Sequence, residues 1–212
     1  LARITFTGVS SGNLGDHVGD EPGTVEINRG QLLTQLSLTK IQYMNQVHGN
    51  EVVVIDSNSS AIPTCDALVT TDKSIALAVL TADCLPILIS SQSVAGAIHA
   101  GRKGVTNGII ANTIHQMAKL GASDMQAHIG PAICANCYEV DRKMYEELVA
   151  RFPELATENS MNNLDLIAAA SSQLQGLGLQ VQSVDICTKE CRDFFSYRRE
   201  ANTGRQGAVI SI

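Results

Sequence analysis

A chain of 212 residues with 44% hydrophobic and 17% charged side chains can bury a core without disulfides, and it suits a single domain over residues 1–212. No apolar run approaches the roughly 18 residues that cross a bilayer, which excludes a membrane partner. A formal charge of −6 argues against a nucleic-acid partner, which would require a basic face, and leaves a small molecule as the expected one. No signal-peptide pattern is visible behind Leu1, so the cytoplasm is the default compartment.

Arg3 to Thr7 alternates like a strand, and the turn-rich loop GVSSGNLGDHVGDEPG that follows is expected on the surface. From Glu21 the spacing of Val25, Leu32, Leu33 and Leu36 predicts an amphipathic helix that carries Asn28 and Arg29 on another face. Short β-rich runs come next at Ile41 to Val47, Glu51 to Ile55, Ala67 to Thr70, Ile75 to Leu80, Pro86 to Ser90 and Val94 to Ile98. Val105 to Leu120 reads as one helix stopped by Gly121, and Gln126 to Gly130 as a strand. Asp141 to Phe152 and Leu164 to Leu174 have helical periodicity, and Val181 to Ile186 and Ala208 to Ile212 resemble strands. No repeat or linker divides the chain.

Six cysteines, Cys65, Cys84, Cys134, Cys137, Cys187 and Cys191, are sparse for a disulfide scaffold and read as thiols or metal ligands. Cys84 stands at the end of one apolar run, His99 at the end of the next, and His48 in QVHGN before a glycine turn. A thiolate and imidazoles from strand ends suit a borderline-soft metal such as zinc or copper. Taken singly, a histidine is more often a satisfied core or surface residue, and a cysteine simply buried. Of the other histidines, His115 reads as a solvated helix residue, and His17 and His128 as neighbours of the motifs described next.

The motifs NLGDHVGD, NR at Asn28 and Arg29, QVHG, TADCLP, HAGxxG, IGPxI, the YEV of Tyr138 to Val140, FFSYRR at Phe194 to Arg199 and TGR at Thr203 to Arg205 occur in order over nearly the whole chain. In this the sequence resembles the YfiH-type proteins, also called laccase-domain or DUF152 proteins. The resemblance implies an α/β fold, layered around a central mixed β-sheet flanked by helices, with a metal held by His48, Cys84 and His99. It implies a zinc-dependent purine nucleoside phosphorylase, converting adenosine, inosine, guanosine or methylthioadenosine and phosphate to base and pentose 1-phosphate, with adenosine deaminase activity. The same family has been described as copper-dependent polyphenol oxidases. A third reading keeps the metal in a non-catalytic binding protein.

For deamination a carboxylate must move a proton, and Asp83 is the nearest in sequence, with orientation of a ligand or a turn as its alternative role. Phosphorolysis needs an anion site, for which Arg29, Arg198 and Arg205 from the matching motifs and the turn AGRKG opening a helix are candidates. Tyr197 and Asn28 are candidate donors to the departing base. The family usually writes AGWRG after the second histidine; here Arg102 replaces the aromatic, which bears on substrate preference. A laccase of the usual kind needs more histidines than the five present, which favours the single-metal, non-redox reading. Cys134 and Cys137 form a CxxC and Cys187 and Cys191 a CxxxC, a competing four-cysteine zinc site whose halves stand about 50 residues apart, beyond the usual ribbon spacing of about 15 to 20.

Overall fold

The computed structural model describes residues 2–158 and 160–212. In chain order the principal elements are β1 (Arg3–Phe6), α1 (Pro22–Gln35), β2 (Lys40–Gln42), β3 (Val52–Ile55), β4 (Ala67–Thr70), β5 (Ile75–Thr81), β6 (Leu85–Ser90), β7 (Ala95–Ala100), α2 (Arg102–Asn107) and α3 (Ile109–Lys119). The chain continues through β8 (Gln126–Ile129), α4 (Arg142–Arg151), β9 (Ala156–Thr157), β10 (Ser160–Leu164), α5 (Leu166–Gly176), β11 (Gln180–Ser183), α6 (Tyr197–Glu200) and β12 (Gln206–Ser211).

Two mixed sheets carry the molecule. One runs β1-β12-β5-β2 and the other β11-β8-β6-β7-β4-β3, with β9 and β10 forming a small ribbon. The layered α/β architecture expected from the sequence is present, its sheet divided in two and stacked. Alternation along the strands explains the stacking. Ala76, Ala78 and Leu80 of β5 pack toward Leu32 of α1, while Leu77 and Val79 share a core with Leu68, Leu88 and Ala97 of the second sheet. On the far side, Val69, Ile87, Ile89 and Ile98 meet Ile110, Ile114 and Met117 of α3 and Ala170 and Leu174 of α5. Strands buried on both faces read as unbroken apolar runs, which is how β5, β6 and β7 read.

Three expectations are corrected. The helix predicted over Val105 to Leu120 is two helices, because Gly108 takes φ 92° and breaks the hydrogen-bond ladder between α2 and α3. The strand predicted over Ile41 to Val47 ends at Gln42, because the Gln46 amide bonds both backbone groups of Leu80, at 2.7 and 2.8 Å, and turns the chain out of the sheet. The glycine-rich loop is not all surface: Leu14 is fully buried, and the buried Asn13 side chain bonds Gly15, Asp20 and the Arg205 amide. Helices α4 and α5 start where an aspartate allows it, Asp141 accepting from the Met144 N–H and Asp165 from the Ala168 N–H.

Candidate metal centre

The chain passes between the two sheets four times, and two of those crossings meet at one point. β5 belongs to the four-stranded sheet and β6 to the six-stranded one, so Ala82, Asp83 and Cys84 are the step between them. The loop from β2 to β3 is the second of these two and carries His48, while His99 lies near the end of β7. The donor atoms of His48, Cys84 and His99 all lie within 4.8 Å of one another. Cys84 Sγ stands 3.9 Å from His48 Nε2. A zinc ion with bonds of about 2.3 Å to sulfur and 2.0–2.1 Å to nitrogen would set those two atoms roughly 3.6 Å apart, so the trio fits such an ion.

Asp66, which sequence reasoning missed, organises the trio from beneath. It is fully buried immediately before β4. Its Oδ1 accepts from His99 Nδ1 at 2.8 Å and from the His48 amide at 2.9 Å, and its Oδ2 accepts from the amides of Val47 and Gly49. With Nδ1 so engaged, His99 has Nε2 left to ligate. The signal was a lone carboxylate at the head of the apolar run Ala67 to Thr70, where an unpartnered charge would be costly to bury. The same carboxylate holds His48 at φ 59°, a left-handed backbone uncommon outside glycine.

Burial opposes the Cys84 thiolate, but the charge of His99 and hydrogen bonds from His48 and His99 outweigh it and bring the thiol down to about 6. For His99 burial is likewise overridden, here by Cys84 and Asp66, which raise the imidazole to about 9. An entering cation takes the place of the proton this pair holds. Close approach is secured by Gly101, where a Cβ would stand 2.9 Å from Cys84 Sγ and 3.1 Å from His48 Cδ2.

The trio forms the floor of a cavity of about 360 Å³ whose walls include Asp83, Tyr138, Tyr197, Arg198 and Arg205. That volume suits a small organic ligand. Asp83 lies at φ 99°, with Oδ1 accepting from the Thr188 hydroxyl at 2.7 Å and Oδ2 from the Arg198 amide at 2.6 Å. Both oxygens therefore hold the wall together. Arg198 lies over the Tyr138 ring and donates to the Glu139 carbonyl, and Arg205 donates to the carbonyls of Thr203 and Gly204. Arg29 stands apart from these two. It lines an adjoining cavity, donates to the Leu14 carbonyl and lies over the Tyr43 ring.

Asn28 is spent on the Asn13 carbonyl, whereas His17 does reach the cavity. His128 borders a different cavity and His115 is exposed on α3. Arg102, in place of the usual aromatic, stands close enough to Tyr138 for its charge to oppose the rise that burial gives the phenol. Among the described residues a second group of donors converges as well: Cys134, Cys137 and Cys187 with Glu190, which Cys191 does not join.

The chain is similar to known proteins over nearly its whole length. Residues 5–212 match the family described as multi-copper polyphenol oxidoreductase laccase. A purine nucleoside phosphorylase of Corynebacterium glutamicum is 44% identical over 95% of this chain and 87% of its own, and one of Streptomyces coelicolor is 41% identical over 93% and 86%. The crystal structure of the DUF152 protein NMB0706 of Neisseria meningitidis superimposes with a TM-score of 0.86, 36% identity, and coverage of 100% of this chain and 93% of that one. With the match running through nearly the whole length, the chain belongs to the laccase-domain (DUF152, YfiH-type) family.

Proposed function

We propose that this chain is a zinc-dependent purine nucleoside phosphorylase, acting on adenosine, inosine, guanosine or methylthioadenosine, with adenosine deaminase activity as a second reaction of the same pocket. The observation that carries the proposal is a single three-ligand metal site opening into a cavity walled by two arginines, in a chain whose relatives bear that name. Three protein ligands leave a zinc ion one open position, where it supplies Lewis acidity.

The protein's own part is to hold and to polarise. Arg198 and Arg205 present guanidinium groups to the phosphate dianion, each anchored by backbone carbonyls, so little side-chain entropy remains to be lost. The helix behind AGRKG is too short at six residues to supply much dipole, which leaves the phosphate charge to the arginines. In phosphorolysis a phosphate oxygen bonds C1′ while the C1′–N bond breaks and its electron pair goes to the purine. Tyr197, exposed at the rim, is placed to donate to that developing charge. Arg29 does not line this cavity, and its role is to pin the loop that carries His17. For deamination Asp83 is the carboxylate at hand, and its ties to Thr188 and Arg198 give it orientation.

The rival reading is a copper polyphenol oxidase. Of the five histidines, only His48 and His99 join Cys84, which provides for one ion. Purified protein is incubated with adenosine or inosine, with and without phosphate, and bases, inosine and pentose phosphate are resolved. Phosphate-dependent release of base is expected. Copper-dependent oxidation of a diphenol with the nucleosides untouched would reverse the ranking, and inertness in both assays would leave a metal-binding protein.

A further inference from the structure

Against Asp83, two loops distant in sequence come together. Residues 131–137 follow β8 and end in a single turn of 3-10 helix, Ala135–Cys137. The second loop follows β11, joined to the first by a parallel bridge between Ala132 and Cys187. The Sγ atoms of Cys134, Cys137 and Cys187 and a carboxylate oxygen of Glu190 all lie within 4.8 Å of one another. Cys137 Sγ is 3.4 Å from Glu190 Oε1.

We propose that Cys134, Cys137, Cys187 and Glu190 bind a second, structural zinc ion that clamps these two loops beside the pocket.

Three features of the geometry support a cation. The backbone amide of Cys134 donates to Cys187 Sγ at 3.4 Å. An amide donor to a sulfur favours its thiolate, the form a metal requires. Three soft sulfurs and one oxygen make a four-coordinate zinc shell, and tetrahedral zinc sets sulfurs about 3.8 Å apart, so the group needs a contraction of about 1 Å at most. A disulfide would use only two of the four donors and leave the third sulfur and the carboxylate without a partner.

The consequence reaches the pocket through one residue on each loop. Ile133, next to Cys134, donates its amide to the Asp83 carbonyl at 3.0 Å, and Thr188, next to Cys187, donates its hydroxyl to Asp83 Oδ1. Arg199 adds bonds to the carbonyls of Thr188, Lys189 and Cys191. With four protein donors the ion has no vacant position, so it acts as a strut and not as a second reaction centre.

The test is made in the Cys84→Ala background, where the pocket cannot contribute a thiolate and nucleoside turnover is irrelevant. That variant is expected to retain one zinc per chain by elemental analysis. Loaded with cobalt instead, it should show the intense thiolate-to-cobalt charge-transfer absorption and tetrahedral ligand-field bands. Adding Cys187→Ser should abolish both. Should that double variant fail to fold, the exposed Glu190→Gln serves in its place, keeping the fold and losing zinc to a chelator that the Cys84→Ala protein resists. The proposal is overturned if Cys84→Ala holds no zinc, or if mass spectrometry of the native protein finds two of Cys134, Cys137 and Cys187 joined as a disulfide.

Discussion

Asp66 shows most clearly what a single side chain does here. One carboxylate accepts four hydrogen bonds, one from a ligand imidazole and three from the backbone that carries the other histidine. Changing Asp66→Asn preserves shape but points an amide NH₂ at the Val47 and Gly49 amides or at His99 Nδ1, so at least one pair of donors must face each other. Zinc affinity is expected to fall about 10–100-fold, the usual cost of losing a group that orients a ligand, read by competition with a chromogenic chelator. An unchanged affinity would mean that His48 and His99 hold their positions without it. The three converging donors were legible because each sits in a short family motif, QVHG, TADCLP or HAGxxG. Asp66 was not, because its partners are contributed by a loop and a strand end remote from it in sequence, and no local pattern records that meeting. Arg29 shows the converse: its motif matches the family, yet α1 presents it to the Leu14 carbonyl and the Tyr43 ring, away from the metal cavity.

Among the elements, those whose burial pattern is simple were read nearly to their ends, and those interrupted by one special residue were not. Strand β4 falls on its predicted residues, and β5 exceeds its prediction by one, because runs buried on both faces leave no competing structure. The apolar spacing from Val105 onward continues past Gly108 without a phase error large enough to betray the break, so only the backbone angle reveals two helices. A Cβ at Gly108 would meet nothing within 4 Å, so replacement carries a conformational cost with no steric one. Gly108→Ala should lower the free energy of unfolding by about 1–2 kcal/mol, the cost of a left-handed alanine, with the urea midpoint shifted and the slope unchanged. Zinc content should be untouched, since Gly101 and not Gly108 borders the ligands. A neutral or stabilising effect would show that α2 and α3 can fuse into the one helix that the periodicity suggested.

At the level of the whole molecule, the metal trio and the sheet stacking are one design. His48 and Cys84 arrive on the two passages from the four-stranded to the six-stranded sheet, β2 to β3 and β5 to β6, and His99 from the six-stranded sheet itself. An ion bound by all three ties both crossings to β7, and unfolding cannot separate the sheets without releasing it. Linkage then sets the size of the effect. At free zinc 100-fold above the dissociation constant the native state gains about 2.7 kcal/mol, which for a chain of this length corresponds to about 5–10 °C in Tm. His48→Ala removes an exposed side chain whose only described polar contact is with Cys84 Sγ, so in the absence of zinc it should melt close to the parent. With zinc restored, the parent should rise further than the variant by that interval, since any ion held by the cysteine loops contributes equally to both. The comparison therefore isolates the pocket ion. Equal zinc-induced shifts in scanning calorimetry would mean that this ion does not hold the sheets together, and that the inter-sheet core around Leu68, Leu77 and Leu88 does so alone.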